Sequence, residues 1–172
     1  MSNTTCRVWE LNDLPNLLAY LKHFDPETIL RFGPHPFTLE TLIHLFHSAE
    51  YKGFLLIEHQ STYIVGYAIV KLGYFEHDRM RFNSYSFFPD HPYTAMYAPS
   101  LASEWRNKGW GKTLWQTALA CLKQMGIRQV LLWGGVQENN LPALTYYQKM
   151  GFEQLGRFEM NGMWNMDMVK NV

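Results

Sequence analysis

The chain has 172 residues, 47% of them hydrophobic and 17% charged, which supplies apolar side chain for one compact core and too little length for two. Fifteen basic and fifteen acidic residues cancel, a balance that argues against a protein gripping nucleic acid through its phosphates. No apolar run approaches the ~20 residues that span a bilayer, and Met1 to Glu10 lacks the basic flank and apolar stretch of a secretory leader.

One cytoplasmic domain over residues 1–172 is therefore the expectation, with neither nucleic acid nor membrane as partner. Cys6 and Cys121 lie far apart without metal-ligand spacing, so neither a disulfide framework nor a zinc site is expected.

In chain order, Cys6 to Leu11 reads as a strand, and Asn12 or Asp13 is placed to cap a helix with Pro15 in its first turn. Leu14, Leu17, Leu18, Leu21 and Phe24 make its apolar stripe. The turn-rich link Arg31-Phe32-Gly33-Pro34-His35-Pro36 leads to a second helix, with Thr38 as cap and Leu39, Leu42, Ile43 and Phe46 at helical spacing. Gly53 to Glu58 and Tyr63 to Leu72 read as a hairpin joined by Gln60-Ser61-Thr62. Phe75 to Pro92 is polar with aromatics interleaved, and Tyr93 to Leu101 reads as the next strand.

Beyond it lies a glycine-rich turn, then a helix carrying Leu114, Trp115, Ala118, Leu119, Leu122 and Met125 and closed by Gly126. Gln129 to Trp133 reads as a buried strand, and Asn140 to Met150 as a helix with Pro142 in its first turn and Gly151 after it. Asn161-Gly162 between alternating segments marks a hairpin.

The chemistry-bearing stretch is Arg106-Asn107-Lys108-Gly109-Trp110-Gly111-Lys112-Thr113, where a strand hands over to a helix. Glycines there let a ligand approach the backbone, while free amides and the positive end of the helix dipole favour an anion such as a pyrophosphate. Glycine turns before helices are common, so a purely structural turn stands beside this reading. A Walker A loop would need glycine where Arg106 stands, and a dinucleotide fingerprint would need its third glycine at Leu114. Both fail.

With Arg106, Gly109 and Gly111 in place, the chain resembles the GNAT superfamily of acetyltransferases, whose signature is Gln or Arg, two residues, Gly, one residue, Gly or Ala. A second signature of that superfamily is matched by Val136, Asn140, Ala143, Tyr147, Gly151 and Phe152. The resemblance covers Tyr93 to the C-terminus, and the first half matches only in its order of elements.

The resemblance implies a mixed α/β fold: a central, mostly antiparallel sheet, helices on both faces and a splayed parallel strand pair, with Gly134 and Gly135 at a bend. It implies acetyl transfer from acetyl-coenzyme A to an amine, without a metal. Leu101 and Ser103 would pair with the pantetheine arm, amides from Asn107 through Lys108, Gly109, Trp110, Gly111 and Lys112 to Thr113 would hold the pyrophosphate, and Arg106, Asn140, Ala143 and Tyr147 would also touch the cofactor.

Tyr147 is the candidate catalytic acid, donating its phenolic proton to the departing thiolate, against the ordinary reading of a tyrosine packed on a helix. No general base is identifiable; water relaying to Glu138 or a histidine is one route. His44 and His47 are helical neighbours, and two ligands are not a metal site.

On the acceptor side the resemblance places Arg31 and His35 with Met160, Asn161 and Trp164, few charges and aromatic walls that suit a small amine better than a basic protein tail. The alternative is that Gly33-Pro34-His35-Pro36 is a rigid turn and Trp164 a core residue. Phe82, Tyr85, Phe87 and Phe88 either roof a pocket, form a homodimer surface or are simply buried. The competing functions are a non-catalytic acyl-coenzyme A-binding or partner-binding module and a protein N-acetyltransferase.

Overall fold

The computed structural model describes residues 4–60 and 62–172. The chain forms two compact units, one made of the described residues up to Val70 with Ala98–Cys121, the other of Lys71–Tyr97 with Leu122–Val172.

In the first unit β1 (Thr4–Val8) pairs antiparallel with β2 (Tyr51–Glu58), from Thr4↔Glu58 to Val8↔Phe54. The strand order continues to β3 (Ile64–Leu72) and then to β4 (Thr94–Leu101), each of which also contributes to the second unit. Phe54, Leu55 and Leu56 are buried in succession, as is every residue from Ile64 to Val70. Strands buried on both faces are covered on both faces, which explains their unbroken apolar runs. Of the hairpin connection, Ser61 lies outside the described residues.

Helix α1 (Leu14–Lys22) buries Leu14, Leu17 and Leu21, three of the expected stripe, and adds Tyr20. Asp13 precedes it but makes no side-chain cap. Its carboxylate instead accepts from the Glu10 amide at 2.6 Å and from both Arg7 Nη atoms at 2.7 and 2.8 Å. Burial alone would raise the Asp13 pKa; Arg7 and the Glu10 amide outweigh it and hold the carboxyl below the usual range.

A short helix not expected from periodicity, α2 (Pro26–Arg31), follows, because six residues are too few to show a stripe. Its sequence signal is Asp25-Pro26: Asp25 Oδ1 accepts from the Thr28 amide at 2.8 Å and Pro26 opens the helix. In α3 (Leu39–His47) Thr38 is the cap, its hydroxyl accepting from the Thr41 amide at 3.2 Å. The expected strand at Cys6 to Leu11 stops at Val8, since Trp9 is buried and Leu11 opens a single 3₁₀ turn. Helix α5 (Trp110–Gln124) buries Leu114, Trp115 and Ala118 at helical spacing.

In the second unit β4 pairs in parallel with β5 (Gln129–Leu132), from Thr94↔Gln129 to Tyr97↔Leu132. Strand β8 (Met163–Asn171) runs antiparallel to β5, to the two-residue β6 (Val136–Gln137) and to β7 (Glu153–Met160). The β7–β8 turn is Asn161-Gly162, both at positive φ (52° and 75°), which matches the twist of a two-residue hairpin.

The stretch read as polar with interleaved aromatics holds α4 (Arg79–Ser84), whose Phe82 is buried with Tyr74, Met96, Leu131 and Val169. Tyr85 and Phe87 pack against this cluster, and Phe88 is exposed. Gly156, at an irregularity in β7, admits the Tyr85 ring where any Cβ would collide with it. Burial therefore accounts for three of these four aromatics.

Beneath Tyr85 lies a buried charge network. Arg81 Nε donates to Asp167 Oδ2 at 2.7 Å, Arg81 Nη1 sits 2.8 Å from Asp78 Oδ1, and the Tyr85 hydroxyl donates to Asp167 at 3.2 Å. The same guanidinium lies over the Phe158 ring at 3.9 Å, so α4 is pinned to β7 and β8 by one side chain.

Candidate cofactor and catalytic site

The path into α5 carries the first group of expected site residues. After Leu101 a 3₁₀ turn spans Ser103–Trp105, then Asn107 and Gly109 take positive φ (58° and 86°) before the helix begins at Trp110. Two left-handed residues in four fold the chain so that successive amides lead into a helix N-terminus.

Lys112 and Thr113 donate their amides back to the Gly109 carbonyl, at 3.1 and 3.4 Å. Among the described residues no backbone acceptor is found for the amides of Asn107, Lys108, Gly109, Trp110 and Gly111. The open donors thus run from 107 to 111, while 112 and 113 are engaged within the turn. A Cβ at Gly109 would meet no protein atom, so space lies open where this glycine faces. Lys108 and Lys112 are exposed, and the Trp105 and Trp110 rings stand 5.7 Å apart.

The Arg106 side chain bonds to protein groups. Its Nε donates to the Leu101 carbonyl at 3.1 Å and its Nη2 to Thr28 Oγ1 at 2.7 Å. Ser103 is exposed, its hydroxyl 3.4 Å from the Glu104 carboxylate.

In the second unit the expected residues lie on α6 (Leu141–Lys149), capped by Asn140, whose side-chain oxygen accepts from the Ala143 amide at 3.4 Å. Asn140 thereby serves the helix start, a structural reason for this residue. Tyr147 packs edge-on against Phe152 at 5.5 Å and Tyr146 at 5.2 Å, and the Phe152 amide donates to the Tyr147 carbonyl at 3.0 Å. This explains the joint spacing of Tyr147, Gly151 and Phe152.

No protein partner is found for the Tyr147 hydroxyl among the described residues. Burial pushes its pKa up, with Tyr146 adding to the rise, so the phenol keeps its proton through the neutral range. Burial also lifts Tyr146, to about 12.

The β4–β5 pairing ends at Tyr97↔Leu132, with the Trp133 amide donating to the Tyr97 carbonyl at 3.0 Å, and Gly134 and Gly135 then turn at positive φ. Strand β4 itself runs on to Leu101.

The acceptor-side residues divide between the units. Arg31 pairs with Glu27 at 2.7 Å, and His35 is buried, bonded to the Pro36 carbonyl at 2.9 Å and to the Tyr67 hydroxyl at 3.1 Å. A carbonyl only accepts, so His35 Nδ1 carries the proton and Nε2 accepts from Tyr67. Burial lowers the pKa of His35, which keeps it neutral. Met160, Asn161 and Trp164 are exposed at the β7–β8 turn, with Arg157 over the Trp164 ring at 4.6 Å. Glu138 is exposed, 3.8 Å from Arg157.

Among the described residues no group of three or more His, Cys, Asp or Glu is arranged to hold a metal, and no helix is long and apolar enough to cross a membrane.

Residues 17–152 match the acetyltransferase (GNAT) family. The chain belongs to this family. A 101-residue stretch is 31% identical to a mycothiol acetyltransferase of Saccharomonospora viridis, covering 59% of this chain and 30% of that relative. The GNAT fold is seen in an acetyltransferase of Streptococcus pneumoniae, at 20% identity and TM-score 0.75 over 99% of each chain. It is seen also in aminoglycoside acetyltransferase AAC(6′)-Ib in complex with coenzyme A, at 19% identity and TM-score 0.69 over 98% of this chain and 95% of that one.

What sequence reasoning missed within the GNAT scaffold is where side chains go after the backbone is placed. The Arg106–Thr28 bond joins residues far apart in the chain, and its one local signal is the Asp25-Pro26 helix start.

Proposed function

We propose that the protein, as one domain over residues 1–172, moves the acetyl group of acetyl-coenzyme A to the amine of a small-molecule acceptor. The observation that carries the reading is the run of open amides from Asn107 to Gly111 at the start of α5, inside the region that matches the family. Donors already fixed in place suit a pyrophosphate, because no reorganisation is needed when the charge arrives. Leu101, Ser103, Asn140 and Ala143 complete the cofactor contacts in this reading.

The neutral amine attacks the thioester carbonyl carbon; a C–N bond forms and the C–S bond breaks. The Tyr147 phenol gives its proton to the departing thiolate, and the proton lost by the nitrogen returns through solvent to restore the phenol. A hydroxyl without a protein partner among the described residues and with a raised pKa is available for that donation at neutral pH. Met160, Asn161 and Trp164 supply an exposed surface with one indole ring for the acceptor, a balanced net charge gives no acidic field for a basic protein tail, and two of the similar proteins are named for mycothiol and aminoglycosides.

Incubation with labelled acetyl-coenzyme A and separate metabolite and peptide pools, read by mass spectrometry, tests this. Label on a small amine is expected. Label confined to lysines or N-termini of proteins would assign a protein acetyltransferase, and binding without any transfer would assign a non-catalytic module.

A further inference from the structure

The motif arginine reads in sequence as a cofactor ligand, yet two of its guanidinium nitrogens, Nε and Nη2, donate to protein groups. We propose that Arg106 is a positioning residue that holds the phosphate-binding turn to α2 and does not itself contact phosphate; the proposal rests on the acetyl-coenzyme A reading for its ligand.

Three bonds make the brace. Arg106 Nε reaches the Leu101 carbonyl at 3.1 Å, tying the turn to the end of β4. Arg106 Nη2 reaches Thr28 Oγ1 at 2.7 Å, tying it to α2. Thr28 in turn gives its one hydroxyl proton to Asp25 Oδ2 at 2.8 Å, which leaves a lone pair to accept from Arg106.

The arrangement is directional. Thr28 is 7% exposed, so water does not replace its arginine. Asp25, which caps α2, lies 4.0 Å from the same guanidinium and supplies the opposite charge. A lysine has no planar fork to reach a carbonyl and a hydroxyl at once, so the site calls for arginine by shape as well as charge.

The consequence is that the order of α2 and the order of the turn are linked. Cofactor that rigidifies the turn also rigidifies α2, and loss of either end of the Arg106–Thr28 bond loosens both.

The test compares Thr28→Val, Arg106→Met, Arg106→Lys and the Thr28→Val/Arg106→Met double variant, with coenzyme A as ligand, by calorimetry at low and high salt. Each single variant is expected to weaken binding about tenfold, the lower range for a lost charged hydrogen bond. The double variant should be no weaker than the worse single one, since both remove the same bond. The salt dependence should stay that of wild type, because no charge on phosphate is lost.

Hydrogen exchange at the Ile29 and Phe32 amides, which donate to the Asp25 and Thr28 carbonyls, should quicken in all variants. Coenzyme A should slow it only in wild type. Arg106→Lys retaining wild-type affinity, or Arg106→Met losing both affinity and salt dependence while Thr28→Val binds normally, would place the guanidinium on phosphate and overturn the proposal. Additive losses in the double variant would overturn it as well. Should wild type bind no coenzyme A, the cofactor reading fails, and the brace stands or falls on exchange alone: unchanged rates in α2 sink it.

Discussion

Replacing Gly109 separates the cost of a backbone conformation from the cost of blocking a ligand. Gly109 sits at φ 86° and a Cβ there has no described atom within 4 Å beyond its chain neighbours, so the first carbon of a Gly109→Val side chain is accommodated. It must instead hold a left-handed conformation, at about 1–2 kcal/mol for an L-residue and somewhat more when β-branched. For a chain of 172 residues that corresponds to a fall in Tm of roughly 2–8 °C, which leaves the variant folded at room temperature.

Binding should suffer more. The valine methyls project into the open space beside the amides of 107 to 111 and keep an anion at a distance. Losing two charge-assisted hydrogen bonds, at about 1.5–3 kcal/mol each, weakens acetyl-coenzyme A roughly 10²–10⁴-fold. Gly109→Ala should lose less, since one methyl intrudes less than an isopropyl group. Calorimetric titration beside a thermal melt reads both numbers from one preparation. A folded Gly109→Val that binds with wild-type affinity would refute the site assignment, and affinity lost only in step with unfolding would show that the turn is merely structural.

Tyr147→Phe should leave cofactor affinity and Tm nearly unchanged, because the hydroxyl has no protein partner to lose, and lower kcat roughly 10²–10⁴-fold, measured as thiol release under chemistry-limited conditions. Since burial raises the Tyr147 pKa, the active protonated phenol persists as pH rises, and the falling limb of kcat should lie above the ordinary tyrosine value of about 10; a limb between pH 7 and 9 that vanishes in Tyr147→Phe would contradict this. Asp167→Ala removes the carboxylate that Arg81 and Tyr85 share, and Arg81 keeps Asp78 and some solvent, so a loss near the low end for a broken buried pair, about 3 kcal/mol, is expected. Chemical denaturation measures it, and a loss under ~1 kcal/mol would mean the network is not a stabilising pin.

Local rules decided much of this protein before any tertiary contact is considered. Thr38 caps α3, Asn140 caps α6, and Asn161-Gly162 turns the last hairpin, each through bonds or φ values set within a few residues. The turn at Gly109 and the spacing of Tyr147, Gly151 and Phe152 were likewise readable, because backbone conformation and helix pitch dictate them.

Where a long polar side chain ends is a different matter, since it selects among partners that only folding assembles. Asp13 looked like a cap and was taken by Arg7 and the Glu10 amide; His35 looked available to a substrate and is held between Pro36 and Tyr67. Arg81 and Asp167 meet across 86 positions of sequence, and Arg106 and Thr28 across 78. Motif and periodicity therefore set the family and most of the elements, whereas the tertiary structure alone decided which charged groups pair with partners far along the chain.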